Sequence, residues 1–174
     1  MTAVTASQTI GPFWHSLADP ALADLTRGVA PDDLAGGVPG SVPGSVPGSV
    51  IELSGQVLDG AGAPVSDACV EIWQATPVAA GFVGWGRCAT DGSGGFAFRT
   101  FAPDTAAPYL AVAILARGLV KPLWTRVYFA DTGDALLAAL PPARRQTLCA
   151  QGEQSRWRWD VRMQGDGETV FLEL

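Results

Sequence analysis

Few residues of this 174-residue chain can do chemistry, and their scarcity is informative. The sequence holds one histidine (His15), two tyrosines (Tyr109 and Tyr128), three cysteines (Cys69, Cys88 and Cys149), one lysine (Lys121) and no asparagine. A histidine-rich metal centre cannot be assembled from this chain alone, because such a centre needs several imidazole donors. A Ser-His-Asp triad has only His15 to use, and beside Trp14 a packing or solvent-facing imidazole is the plainer role. Lys121 is followed by Pro122, so there is no phosphate-binding lysine loop, and neither GxGxxG nor GxSxG occurs. Asp32 and Asp33 follow Pro31 and read as acidic residues at a helix start rather than an acid/base couple. The cysteines are odd in number and widely spaced, with no CxxC pair. They are expected to be buried thiols in a reducing cytoplasm.

Composition narrows the remaining classes. Net charge is −6 and no basic tract exists, which argues against a nucleic-acid partner. The longest apolar run, Tyr109 to Ala116, is far shorter than the roughly 20 residues needed to span a bilayer as a helix. The first residues lack the basic and apolar regions of a signal peptide, so a cytoplasmic location is expected. Charged residues make up 16% of the chain against about 25% in an average soluble domain, as if part of the surface were covered by a partner. The 21 glycines and 13 prolines fit many turns, short strands or a linker.

The elements that must position any site follow from periodicity. Residues 1–36 read as an N-terminal arm laid over something else, with a helix-compatible stretch only at Pro20 to Leu25. Residues 37–50 run GVPGSVPGSVPGSV, a repeat of Pro-Gly turns with too little apolar content to order itself, and so a linker. From residue 51 to 174 the pattern is β. Ile51, Leu53 and Val57 alternate with polar neighbours, and Ala68 to Gln74 is apolar on both faces and therefore central. Phe96 to Phe101 alternates, Tyr109 to Ala116 reads as a fully buried strand turned by Arg117-Gly118, and Trp124 to Phe129 follows. Asp131 to Asp134 caps a short apolar helix. The alternating run Trp157 to Met163 and the segment Thr169 to Leu174 complete seven or eight strands. The expected fold is an all-β, antiparallel β-sandwich with a long arm and one short helix.

Four segments carry a resemblance that the residue types alone do not supply. They are TASQTIGPF (Thr5 to Phe13), LSGQVLDGAGAPVSDACVEIWQA (Leu53 to Ala75), GRCATDGSGGFAFRT (Gly86 to Thr100), and a tail made of Ala116-Arg117-Gly118, WTRVYF (Trp124 to Phe129) and Trp159 to Leu174. In order and spacing they resemble the intradiol ring-cleaving dioxygenases, and within that family the α-type chains of its protocatechuate-cleaving members. The resemblance implies a hetero-oligomer with a β subunit that uses O2 and Fe(III) to open a carboxylated catechol between its two hydroxyl-bearing carbons. In that family two tyrosinates and two histidines hold the iron. Here Tyr109 and Ala111 fall in the two histidine slots, so the resemblance implies a vestigial ligand site, with Fe(III) held by the β subunit and the isolated chain inactive. It also implies substrate-binding roles for Thr9, Gly11, Pro12, Phe13 and Arg126, the arginine receiving the substrate carboxylate. Other uses remain open. Arg126 could be a strand arginine paired with a nearby carboxylate, Gly11-Pro12 a plain turn, Tyr128 a core residue, and Trp157 and Trp159 core packing rather than interface anchors. The whole chain could be a free-standing β-sandwich binding module that kept the fold and lost the chemistry, or an enzyme acting on another catechol.

Overall fold

The structure, a computed structural model, describes residues 8–9, 11, 13, 18–29, 49–75, 81–104, 107–130 and 132–173. Period-2 patterning resolves into nine strands: β1 (Val50–Leu58), β2 (Cys69–Trp73), β3 (Trp85–Ala89), β4 (Gly95–Phe101), β5 (Tyr109–Leu115), β6 (Leu123–Tyr128), β7 (Gln151–Glu153), β8 (Arg156–Arg158) and β9 (Val161–Arg162). They form two sheets. One has the order β4-β1-β8-β7, with β9 also pairing β1, and the other has the order β3-β2-β5-β6. Alternate residues of both sheets meet in one core, where Ile51, Leu53, Val70, Ile72, Phe96, Phe98, Leu110, Val112, Ile114, Val127, Trp157, Trp159 and Val161 are buried together. The fold is the expected all-β sandwich, and Trp157 and Trp159 are core residues.

The pairing departs from the expectation in one respect. β1 is antiparallel to β4 but parallel to both β8 and β9, so the first sheet is mixed rather than purely antiparallel. The run Trp157 to Met163 is not one strand either. The tight hairpin β7–β8 supplies Trp157, the chain then passes through Trp159 and Asp160, and β9 re-pairs further along β1. Beyond β9, the last described residues meet the second sheet through a bridge, Trp124 to Leu172, and the Thr125 hydroxyl, which donates to Val170 O at 2.7 Å, in place of the final strand that alternation suggests. β3 pairs with the whole of β2, although alternation marks no strand there.

The described part of the arm is not merely laid on the surface. A 3-10 turn at Pro20–Ala23, capped by the Asp19 carboxylate accepting from Ala21 N at 2.9 Å, delivers Leu25 into the main core with no exposed surface. The Leu25 amide donates to the Arg99 carbonyl at 2.8 Å, and the Asp24 carboxylate pairs with the Arg99 guanidinium at 3.4 Å. Residues 37–48 of the expected linker lie outside the described residues, while Val50 already belongs to β1.

After β6 come two short helices, α1 (Ala135–Ala139) and α2 (Pro142–Gln146), where one was expected. Asp134 is the N-cap of α1, its carboxylate accepting from Leu136 N at 2.9 Å. These helices matter for the site because Leu137 and Leu148 bury the Tyr128 ring in a second, smaller core.

Candidate functional site

Of the sequence-derived site residues, Tyr109, Ala111 and Arg126 fall on the outer face of the second sheet and Thr9 at its hairpin tip. β5 and β6 are joined by a turn in which Leu119 N donates to Ala116 O at 3.2 Å and Gly118 takes φ +90°, a conformation that suits glycine in the third position of a type II turn. This wider connection sets the register: Tyr109 lies opposite Tyr128, and Ala111 opposite Arg126. Val112 and Thr125 are paired and face the core side, so the intervening pairs Tyr109–Tyr128, Ala111–Arg126 and Ala113–Trp124 share the other face. Trp73 and Trp85 continue that face, because Trp73 pairs with both Ala111 and Trp85.

Four side chains converge at the α1 end of this face. The Arg126 guanidinium lies over the Tyr109 ring, 3.9 Å from its centroid. Its Nη1 donates to the Tyr128 hydroxyl at 3.2 Å, and that hydroxyl donates to Asp134 Oδ1 at 2.9 Å. The other carboxylate oxygen of Asp134 is 3.8 Å from Nη1, an ion pair without a direct hydrogen bond. The Tyr109 and Tyr128 rings pack with centroids 5.5 Å apart. Burial pushes the Tyr128 phenol up to about 12 from its ordinary value of 10.0, against the opposing pull of Arg126, so it is a neutral phenol at physiological pH. Burial also works against the Arg126 charge, but the hydrogen bond to Tyr128 and the neighbouring Tyr109 and Asp134 outweigh it and hold the guanidinium firmly protonated. The Nε and Nη2 edge makes no hydrogen bond to any described residue, and the side chain is 29% exposed. That free edge has the two parallel donors that fit a carboxylate.

The same residues do not fit a ferric ion. Ala111 has no donor atom, Tyr109 turns its ring face to a cation, and Tyr128 keeps its proton and spends it on Asp134. A guanidinium already lies over the Tyr109 ring and against the Tyr128 hydroxyl. Among the described residues no three His, Cys, Asp or Glu side chains come together as a metal-binding group. His15 lies outside the described residues.

The arm residues sit elsewhere. Thr9 Oγ1 accepts from Gly118 N at 3.2 Å, which places it at the β5–β6 hairpin tip. Ala111, the partner of Arg126, is four residues of β5 from Leu115, roughly 13 Å at about 3.3 Å each, and Gly118 lies in the turn beyond. Gly11 has φ +80°, Phe13 is 72% exposed, and Pro12 lies outside the described residues. Within one chain, then, Thr9 is not brought to Arg126. Asp134 and Tyr128 were missed as partners of Arg126 because their contact depends on the register of β6 and the start of α1.

The chain is similar to several known proteins. A protein-family model described as Dioxygenase matches residues 38–114. The protocatechuate 3,4-dioxygenase alpha chain of Burkholderia cepacia is 31% identical over 202 aligned positions, covering 98% of this chain and 97% of that one. The chain belongs to the protocatechuate 3,4-dioxygenase alpha-chain family. The beta chain of the same organism's enzyme is 37% identical, but over 67 residues and only 30% of this chain. Kinship with the alpha chains thus runs end to end, while kinship with the beta chain is local. Among solved structures, the dioxygenase domain of a dioxygenase and carbohydrate-binding protein fusion from Streptomyces sp. SirexAA-E shares the fold, with a TM-score of 0.54 and 26% identity over 74% of this chain and 85% of that one.

Proposed function

We propose that this chain is the alpha subunit of a heteromeric protocatechuate 3,4-dioxygenase. The assembled enzyme adds both atoms of O2 to protocatechuate and opens the ring between its hydroxyl-bearing carbons, giving 3-carboxy-cis,cis-muconate. Fe(III) belongs to the beta subunit, and this chain supplies part of the wall of the shared pocket. The reading draws on full-length kinship with alpha chains and on a ligand slot whose residues suit a carboxylate rather than a metal.

The observation that carries it is the free edge of Arg126. Protocatechuate is an anion, and a guanidinium held by the Tyr109 ring and the Tyr128 hydroxyl, with Nε and Nη2 unused by any described residue, can take its carboxylate in a paired hydrogen bond. Thr9, Gly11, Pro12 and Phe13 line the pocket from the arm. Thr9 lies well away from Arg126 along the hairpin, and Phe13 offers an exposed ring, as residues meeting a second chain would. Trp73, Trp85 and Trp124 sit half-buried on the Arg126 face of the sheet, the kind of aromatic surface that a partner subunit covers. Residues 1–36 act as an arm and 37–49 as its linker, the sandwich begins with β1 at Val50, and residues 18–29 of the arm are tied into the core.

The test is to purify the chain alone and co-assembled with its beta subunit, and to measure iron content and protocatechuate-dependent O2 uptake in each. Iron and uptake confined to the complex are expected. In the complex, Arg126→Ala is expected to lower kcat/KM for protocatechuate roughly ten- to a hundredfold, the size of a lost charge-assisted hydrogen-bond pair. Stoichiometric iron in the lone chain, or a stable chain that ignores the beta subunit, would sink the proposal and favour a free-standing module.

A further inference from the structure

The geometry points to Tyr128, Asp134 and Tyr109 as positioning residues that aim the Arg126 guanidinium and thereby set the preference for a carboxylated catechol over an uncharged one. This inference rests on the reading that Arg126 receives the substrate carboxylate.

Arginine has a long stem with many rotamers, so one on a strand face has no fixed direction unless neighbours impose it. Three constraints do so here. The Tyr109 ring lies under the guanidinium, whose central carbon is 3.9 Å from the ring centroid, and restricts its tilt. The Tyr128 hydroxyl holds Nη1 at 3.2 Å and fixes its rotation. The third constraint orients that hydroxyl. A phenol has one proton, and Tyr128 commits it to Asp134 Oδ1 at 2.9 Å, which leaves only an oxygen lone pair to face Nη1.

Each link is anchored in turn. The Tyr128 ring is fully buried beside Leu137 and Leu148, so the phenol cannot swing away. The Asp134 oxygen that takes the phenol proton also accepts from Leu136 N at 2.9 Å, tying the relay to the first turn of α1. A plain Arg126–Asp134 salt bridge would bring the two forks together directly. Instead Tyr128 is hydrogen-bonded to both, the carboxylate stays 3.8 Å away, and Nη1 alone is used. The anchoring thus consumes the end of the guanidinium that a substrate does not need. It leaves Nε and Nη2 in a fixed direction for a bidentate partner.

The test uses the assembled alpha/beta enzyme and two substrates: protocatechuate, and catechol, which lacks the carboxylate. Tyr128→Phe removes one oxygen and keeps the ring. It is expected to raise KM for protocatechuate about three- to tenfold, with the loss concentrated in KM rather than kcat, and to lower the protocatechuate-to-catechol ratio of kcat/KM by the same factor. Asp134→Asn, which still caps α1, and Tyr109→Leu are expected to lower the ratio in the same direction. They keep the test alive if the phenylalanine variant fails to assemble. Because the relay acts only through the guanidinium, Arg126→Ala combined with Tyr128→Phe should lower the ratio no further than Arg126→Ala does. A ratio that collapses in Arg126→Ala but holds in the Tyr128 and Asp134 variants overturns the positioning role and leaves the carboxylate reading standing. Equal losses on both substrates in the Tyr128 and Asp134 variants mean a structural role and also overturn it. A ratio unchanged by Arg126→Ala removes both readings.

Discussion

A ferric centre asks its tyrosines to give up their protons, whereas a guanidinium needs only neutral rings and one lone pair. The state of Tyr128 therefore separates the two uses of the same strand positions. Burial raises its phenol to about 12, and likewise raises the buried Cys69 thiol from 9.0 to about 12. Both groups keep their protons to higher pH in the folded chain than in the unfolded one. Between the unfolded and folded values the native state binds more protons, so stability must fall as pH rises. The expected outcome is a urea midpoint that is flat from pH 7 to about 9 and then declines steadily towards pH 11. Native Cys69 should likewise resist thiol reagents at pH 8 and react once the chain is unfolded. At this scale the sequence was partly legible. Arg126 and Tyr109 could be singled out by type and by resemblance, and a strand arginine paired with a carboxylate was one of the uses left open. Asp134 as that carboxylate, and Tyr128 between them, could not be found. A tight turn centred on Arg117-Gly118 would set Tyr109 opposite Arg126, and the wider connection through Lys121 moves the register by two residues, bringing Tyr128 there instead.

Among the elements, the arm shows most clearly where periodicity fails. A four-residue 3-10 turn has no repeat to detect, so Leu25 read only as part of the arm although it is fully buried in the main core. Its seat is made by an absent side chain. A Cβ at Gly86 on β3 would stand 2.3 Å from Leu25 Cδ1 and 2.7 Å from the Leu22 carbonyl oxygen. Gly86→Ala is therefore expected to push the arm off β3 at a cost of about 1–3 kcal/mol. A lowered denaturant midpoint, together with faster proteolysis within residues 18–29, would report it. β3 escaped notice for a related reason: Gly86, Arg87 and Cys88 carry little strand propensity, and pairing with β2 holds them extended. By contrast β1, β4 and β5 were readable, since each alternates over or fills a buried face with β-branched and aromatic residues. The tail was over-read, because Trp157 and Trp159 sit on one face while the backbone between β8 and β9 leaves the ladder.

Across the whole molecule, all-β architecture followed from patterning, but which strands are neighbours did not. Alternation specifies a buried face and says nothing about direction, so the parallel pairing of β1 with β8 and β9 had no signature in residue order. That pairing joins Glu52 to Arg156 and Val57 to Val161, and the Trp159 amide donates to the Ser54 carbonyl at 2.8 Å. A chain cut after residue 150 should lose these contacts together with Trp157, Trp159 and Val161, and is expected to be insoluble on expression while the full-length chain is not. The same geometry imposes a timetable during synthesis. β1 and β4 can zip together early, but the other side of β1 waits for a segment about a hundred residues downstream, which the ribosome releases at roughly 5–20 residues per second. For several seconds each nascent copy presents an open β-edge to its neighbours on the same messenger, and that interval, more than final stability, sets how crowded translation of this subunit can become before copies pair with one another.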